Sequence, residues 1–96
     1  MNQGSTVEDG WRGFIQLCLL SANKERLDEL FGLFLTLEEK EVLALRFLLI
    51  KDLLEGRLSQ REISQKRKIS ISKITRGSNA LKIIKPSLKE FLHHHM

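Results

Sequence analysis

Residues 58–86, LSQREISQKRKISISKITRGSNALKIIKP, contain two helix-start signals eleven positions apart and decide the fold. Ser59 and Glu62 have the spacing of a capping box, in which each side chain satisfies a free backbone N–H group. Ser70 is a second favourable N-cap residue. The stretch therefore predicts a short helix, a tight connection and a second helix over about 59–85, which is a helix-turn-helix arrangement.

Charge is divided unequally along the chain. Positions 1–56 carry six Lys or Arg residues against ten Asp or Glu, whereas positions 57–96 carry ten against two. This asymmetry indicates a polyanionic partner for the second half. The alternatives are a solvated basic surface on a plain helical hairpin, or a helical module that binds an acidic protein. Because the positive charge coincides with the two-helix stretch, double-stranded DNA is the favoured partner.

The rest of the chain predicts helices and no strands, so the expected fold class is all-α. We expect an N-terminal arm over 1–8 that is disordered, a single helical domain over 9–92 and a tail over 93–96. A first helix is expected over about Asp9–Leu20, and a shorter second helix should end near Gly32. A long third helix begins with a Thr36–Glu39 capping box and ends at Glu55. Pro86 can begin a last helix, which packs Leu88, Phe91 and Leu92.

The middle of the long helix, VLALRFLLI at 42–50, is apolar at every position except Arg46. A helix that is apolar on all sides must be buried on all sides. A domain of 96 residues has little protein with which to surround it. We therefore expect this helix to lie in the interface of a homodimer. The alternative is a core helix in a compact monomer.

Several classes of protein are disfavoured. A single cysteine, Cys18, allows no intrachain disulfide and fits a reducing cytoplasm, and no apolar run is long enough to span a membrane. The N-terminus has no signal-peptide pattern. We also expect no enzyme, because paired carboxylates, a Cys–His pair and a phosphate-binding glycine loop are missing, and no metal, because the three histidines of the tail have no partner ligands.

Two arginines have unusual surroundings. Arg46 lies in the apolar run, where an unpaired guanidinium would cost several kcal/mol if it were buried. Arg76 precedes Gly77, where backbone can come close to a neighbour. A flat aromatic ring that carries a carboxylate could stack between the two guanidinium planes and accept a charge-assisted hydrogen bond.

The motifs LTLEEKE, LLEGRLSQREIS and ISKITRGSNALK are similar to those of the tryptophan repressor family, over about Leu33–Leu92. The resemblance implies an intertwined homodimer of six-helix subunits, each with a helix-turn-helix head that reads DNA. Such proteins bind a palindromic operator when L-tryptophan is bound as corepressor, and they control tryptophan biosynthesis or salvage genes.

The resemblance also implies two sets of site residues. The indole ring would lie between Arg46 and Arg76 and against Gly77. The carboxylate would contact Arg76 and Thr36, and the backbone carbonyls of Leu33 and Leu35 would hold the amino group. A second set would contact DNA or lie close to its bases. It includes the residues on the exposed face of the second helix of the pair, and its members are Gln60, Arg61, Ile71, Ser72, Lys73, Thr75, Asn79 and Lys82.

Three features depart from the family pattern. Ala80 replaces a serine whose hydroxyl helps to hold the amino group, so we expect weaker discrimination against analogues that lack that group. Lys68-Ile69-Ser70 replaces a glycine-rich turn, and a left-handed residue without glycine costs about 1–2 kcal/mol, so we expect a reshaped turn. Lys73 adds a charge near the DNA, so we expect a different preferred operator. A DNA-binding dimer that ignores tryptophan or responds to another ligand is the remaining alternative.

Overall fold

The computed structural model describes residues 6–96, which form six helices and, within that range, no strand. The helices are α1 (Val7–Leu20), α2 (Lys24–Phe34), α3 (Leu37–Glu55), α4 (Gln60–Arg67), α5 (Ile71–Ile83) and α6 (Pro86–His95). The chain divides into two compact units, one ending at Lys40 and the other beginning at Glu41. The prediction of one domain stays a prediction, and the all-α prediction is confirmed.

In the first unit, α1 begins two residues earlier than the sequence indicated. Thr6 is its N-cap and forms a capping box with Asp9: the Asp9 N–H donates to Thr6 Oγ1 over 3.0 Å. The predicted N-terminal arm therefore overlaps the start of the helix, and its first five residues lie outside the described range.

The second helix continues through Gly32 to Phe34, so the expectation that it ends near Gly32 is wrong. A glycine in a helix interior costs about 1 kcal/mol relative to alanine. Packing offsets that cost, because the Phe34 ring lies edge-on to Phe14 with centroids 5.3 Å apart. Phe14 also approaches Phe31 at 6.0 Å. An aromatic cluster centred on Phe14 therefore fixes α1 against α2.

Helix α3 has the predicted bounds. The Thr36–Glu39 capping box is formed, with the Glu39 N–H donating to Thr36 Oγ1 over 3.1 Å and the Thr36 N–H donating to Glu39 Oε1 over 2.8 Å. The helix ends before Gly56, whose φ of 69° is a conformation that suits glycine. Only Leu49 and Asp52 are buried on α3. Its exposed apolar side chains include Leu37, Val42, Leu43, Leu45 and Phe47.

Phe47 and Leu43 of α3 are both more than half exposed, and the homodimer interface stays a prediction for this helix, as does its alternative of a core helix in a monomer. Helix α6 also leaves large apolar side chains exposed. Leu88 and Phe91 remain exposed, so the expectation that they pack is not met within one chain. Helix α6 continues to His95, which extends regular structure into the predicted tail.

Helix α5 ends at Ile83, two residues before the predicted end at Lys85. The residue before a proline is disfavoured in the helical conformation, because the proline ring collides with its backbone and Cβ. Lys85 is accordingly extended (φ −61°, ψ 142°), and Pro86 takes the first position of α6 as predicted.

Candidate nucleic-acid interface

The helices α4 and α5 are held together by a small apolar core in the second unit. Its buried members are Leu49, Ile63, Ile69 and Ile74, and Leu53 and Leu58 pack against them. Ile63 and Ile74 are fully buried, one from each helix of the pair. Burial of a side chain of this size stabilises the fold by about 1.5–3 kcal/mol. The core therefore fixes α4 and α5 as one body against the C-terminal half of α3.

The entry to α4 follows the predicted capping box. The Glu62 N–H donates to Ser59 Oγ over 3.1 Å, and the Ser59 N–H donates to Glu62 Oε1 over 2.8 Å. Ser70 caps α5 by accepting from the Lys73 N–H over 3.3 Å. Both helix starts that the sequence marked are therefore present.

The connection between α4 and α5 keeps a left-handed residue although no glycine is available. Lys68 has φ 57° and ψ 46°, and its N–H donates to the Ser64 carbonyl. The turn is closed by the Ser64 hydroxyl, which donates to the carbonyl of Ile69 over 2.7 Å. Ile69 itself is buried in the core. Lys68 accepts the strained conformation, and the contacts of Ser64 and Ile69 hold it there. The expected reshaping of the turn stays a prediction.

The outward side of α5 carries the predicted DNA-contacting residues. Ser72, Thr75, Asn79 and Lys82 recur at helical spacing, and none of them shares the direction of the buried Ile74. All four are exposed, as are Ile71 and Lys73 at the start of the helix and Gln60 and Arg61 at the start of α4. The Thr75 hydroxyl donates to Gln60 Oε1 over 3.3 Å. These polar and basic side chains are therefore all exposed on the α4–α5 pair, and the Gln60–Thr75 hydrogen bond joins the two helices there.

Gly77 sets how closely α5 approaches α3. A Cβ atom at this position would lie 3.3 Å from Leu49 Cδ2 and 3.5 Å from Leu53 Cδ1, so an added side chain would press on the core. Arg76 directly precedes Gly77, and Arg46 lies three positions before Leu49, on the same face of α3. The two exposed arginines therefore belong to the helix segments that meet at this close approach.

The remaining predicted ligand residues lie elsewhere along the chain. Ala80 is exposed, three positions after Gly77 on α5. Leu33, Leu35 and Thr36 lie in the first unit, where α2 ends and α3 begins. The last four carbonyls of a helix have no partner within that helix, which leaves the Leu33 carbonyl free of such a partner. The Thr36 hydroxyl accepts in the capping box and keeps its own hydrogen to donate.

Sequence reasoning missed an ion pair between α3 and α4. Arg67 Nε donates to Asp52 Oδ2 over 2.8 Å and Arg67 Nη2 donates to Asp52 Oδ1 over 3.1 Å. Asp52 is 4% exposed and Arg67 is 22% exposed. The hydrogen bonds from Arg67 hold the pKa of the Asp52 carboxyl below its usual value, although burial acts in the opposite direction. The only signal in the sequence was an aspartate within the apolar helix, and nothing there identified its partner.

Two further observations concern residues 6–96. Within this range no three His, Cys, Asp or Glu side chains are grouped so that they could hold a metal ion. None of the described helices combines the length and the apolar content needed to cross a membrane.

Comparison with known proteins identifies the family. Residues 9–96 match the family described as Trp repressor protein. A Trp operon repressor homolog of Chlamydia caviae is 52% identical over 85 residues, which cover 88% of this chain and 84% of the relative. The homolog of Chlamydia trachomatis serovar D is 49% identical, covering 88% and 90%, and that of Mannheimia succiniciproducens is 35% identical, covering 88% and 84%. The six helices of the described range and the capped α4–α5 pair agree with these similarities. The chain therefore belongs to the Trp repressor family.

Proposed function

We propose that this chain is a transcriptional repressor that binds a palindromic operator as a homodimer and uses L-tryptophan as its corepressor. Such a protein acts on DNA in the cytoplasm and catalyses no reaction. The observation that carries the DNA-binding part is the exposed surface of α4 and α5, where Arg61, Thr75, Asn79 and Lys82 lie on the side away from the core. The names of the relatives support the regulatory role.

In this proposal α5 enters the major groove and α4 crosses the DNA backbone. Arg61, whose side chain is exposed in the first turn of α4, matches by family resemblance a residue that contacts a guanine, and a guanidinium fork fits the acceptor pair of that base. Lys82 and the hydroxyl of Thr75 contact phosphates, which position the protein without reading the sequence. Affinity then falls with salt by about 0.9 log units in the binding constant for each log unit of salt and each neutralised phosphate.

The homodimer is supported by the exposed apolar side chains of α3. Phe47, Leu43 and Leu45 are too exposed within one chain to contribute a full hydrophobic stabilisation. A second copy of the chain would cover them. Two subunits related by a twofold axis would then present two α5 helices to successive major grooves, about 34 Å apart, a distance that is general to this class of dimer.

The corepressor part is supported by the arrangement of α3 and α5. A ring stacked between Arg46 and Arg76 would contact both helices next to the close approach at Gly77, with Ala80 one turn further along α5. Its carboxylate would accept hydrogen bonds from Arg76, and by family resemblance also from Thr36, while Leu33 and Leu35 would receive the amino group. The ligand then favours the DNA-binding position of α5 only to the extent that it binds that position more tightly than others.

The test is a titration of DNA duplexes, enriched from a random library by the purified protein, with and without L-tryptophan. We expect tryptophan to tighten binding of the wild type at least tenfold, and Arg76→Ala to lose that gain. Lys89→Ala, which removes a positive charge from the exposed surface of α6, should keep it. Equal binding with and without tryptophan in the wild type would refute the corepressor.

A tryptophan-independent repressor is a second candidate, and one observation favours it: Ala80 offers no hydroxyl to a ligand's amino group. The same titration separates the two, because this candidate binds its palindrome in a salt-dependent manner whether or not tryptophan is present. A helical module for an acidic protein would enrich no palindrome at all.

A further inference from the structure

The ion pair between Asp52 and Arg67 joins the α4–α5 pair to α3 by a contact that no proposed ligand provides. Arg67 lies in the last turn of α4, and both of its hydrogen bonds run to the two oxygens of one carboxylate. A bidentate pair of an arginine with a carboxylate has a defined geometry as well as a defined distance. The contact therefore restrains the direction of α4 as well as its distance from α3.

The carboxylate lies close to the place where α3 meets α5. Asp52 follows by three positions Leu49, the residue that a Cβ atom at Gly77 would contact. Asp52 is almost fully buried, and a buried charge that loses its partner is strongly destabilising. Movement of α4 away from α3 would separate the pair. The arrangement of α4 and α5 that keeps it intact is thus favoured before any small molecule binds.

The pair also reduces the number of positive side chains in this region that can contact DNA. Arg67 belongs to the run Lys66–Lys68, in which three adjacent cations appear available to DNA. Lys66 and Lys68 are exposed, but the guanidinium of Arg67 is turned inward and has both of its bonds on Asp52. The Nε–Nη2 edge of its guanidinium is therefore committed to Asp52 and not to a phosphate.

We propose that Asp52 and Arg67 are positioning residues for operator binding: their ion pair holds α4, and with it α5, in the DNA-binding position whether or not corepressor is bound. This inference rests on the proposed DNA-binding function. It predicts that loss of the pair weakens DNA binding most when no ligand is present, because neither restraint then acts on α4 and α5. With ligand bound, the ligand still supplies one restraint, so the loss should be smaller.

The test compares Arg67→Met with Lys66→Met, which removes one positive charge from the neighbouring, exposed position. Operator duplexes enriched by the wild type are titrated with and without L-tryptophan at several salt concentrations. For Arg67→Met we expect binding to weaken about tenfold without tryptophan and less with it, and the slope of log affinity against log salt to stay unchanged. Arg67→Lys, which keeps the charge but not the fork, should recover part of the loss.

Folding is controlled separately, because Arg67→Met leaves Asp52 buried and unpaired. The double variant Asp52→Leu with Arg67→Met removes that carboxylate, and it should show the same weakened binding although its stability is restored. Circular dichroism at the temperature of the titration checks that each variant is folded. Wild-type affinity in the double variant, or equal losses in Arg67→Met and Lys66→Met with the same decrease in salt slope, would overturn the proposal.

Hydrogen exchange without DNA keeps this inference distinct from the proposed function. The amides of α4 should exchange faster in Arg67→Met than in the wild type or in Lys66→Met. If the wild type enriches no duplex, the proposed function fails, and the exchange rates alone decide whether the pair restrains α4. Equal exchange in all three proteins would overturn the restraint itself.

Discussion

At the scale of single residues, Lys68 shows a strain that its neighbours hold in place. A residue with a Cβ atom in the left-handed region costs about 1–2 kcal/mol, and the strain is local to the turn between α4 and α5. Lys68 is exposed, so its side chain contributes no buried contact that a smaller residue would lose.

Replacement of Lys68 by glycine should therefore stabilise the protein. We expect Lys68→Gly to raise the free energy of unfolding by about 1 kcal/mol, because glycine adopts φ 57° without steric cost, although it loses more entropy on folding. Urea denaturation measures the change. Lys66→Gly, inside α4, is the matched control and should destabilise by a similar amount. A loss of stability in Lys68→Gly would contradict the strain.

The ion pair of Asp52 predicts a dependence of stability on pH. Hydrogen bonds from Arg67 are the main cause of the lowered pKa of Asp52, the charges of Arg67, Lys66 and Lys51 act in the same direction, and burial opposes them. A carboxyl whose pKa is lower in the folded state contributes stability that is complete above its unfolded pKa and lost as the pH falls through its folded pKa.

We expect Asp52→Asn to cost about 2 kcal/mol near neutral pH, since a hydrogen bond to a charged group contributes about 1.5–3 kcal/mol. The difference in unfolding free energy between the wild type and Asp52→Asn should shrink only at pH values below 3.8, the usual pKa of this carboxyl. Urea denaturation across this range measures it. A difference that stays constant into strong acid would show that ionisation of Asp52 does not contribute.

At the scale of elements, the helix starts depend on local hydrogen bonds and the helix ends on packing or on the next residue. Thr36, Ser59 and Ser70 each accept from a backbone N–H in the first turn of the helix that follows. Helix α2, by contrast, passes Gly32 because Phe34 packs against Phe14. Local signals therefore located the starts better than they located the ends.

The cap of α4 gives a direct test at this scale. Ser59→Ala removes the acceptor for the Glu62 N–H, and we expect it to lower the free energy of unfolding by about 1 kcal/mol. Ser59→Asn, which keeps a cap acceptor, is the matched control and should lose little. Thermal or urea denaturation measures both. Equal losses in the two variants would mean that the hydroxyl of Ser59 acts by some contact other than the cap.

At the scale of the whole molecule, α3 leaves an apolar surface exposed within one chain. Four large apolar side chains between Val42 and Phe47 are exposed within one chain. Such side chains are more often buried in a folded protein. Large exposed apolar patches mark interaction sites or cause aggregation. A homodimer would cover this surface and would make the stability depend on protein concentration.

We expect Leu43→Glu, at a half-exposed apolar position of α3, to shift the protein towards monomer in analytical ultracentrifugation, because the carboxylate would be desolvated in the interface. Glu41→Lys changes the charge of an exposed polar residue on the same helix and should leave the dimer intact. If both variants sediment as the wild type does, α3 is not at the dimer interface.

The sequence by itself determined the helical class, the starts of α3, α4 and α5, and the basic surface of the α4–α5 pair. These features depend on residues within a few positions of one another: capping boxes, a periodic apolar face and a charge asymmetry. The resemblance of its motifs added the family, and with it the arginines and the DNA-contacting residues. Whether those residues bind tryptophan and an operator stays a prediction.

The tertiary structure alone decided which side chains of different helices meet. Asp52 and Arg67 are fifteen positions apart, and no periodicity within either helix identifies one as the partner of the other. The same holds for Gly77, whose place against Leu49 depends on how α5 crosses α3. Contacts of this kind require the backbone of both helices to be fixed first, and the energy that fixes it comes from the shared core of Leu49, Ile63, Ile69 and Ile74.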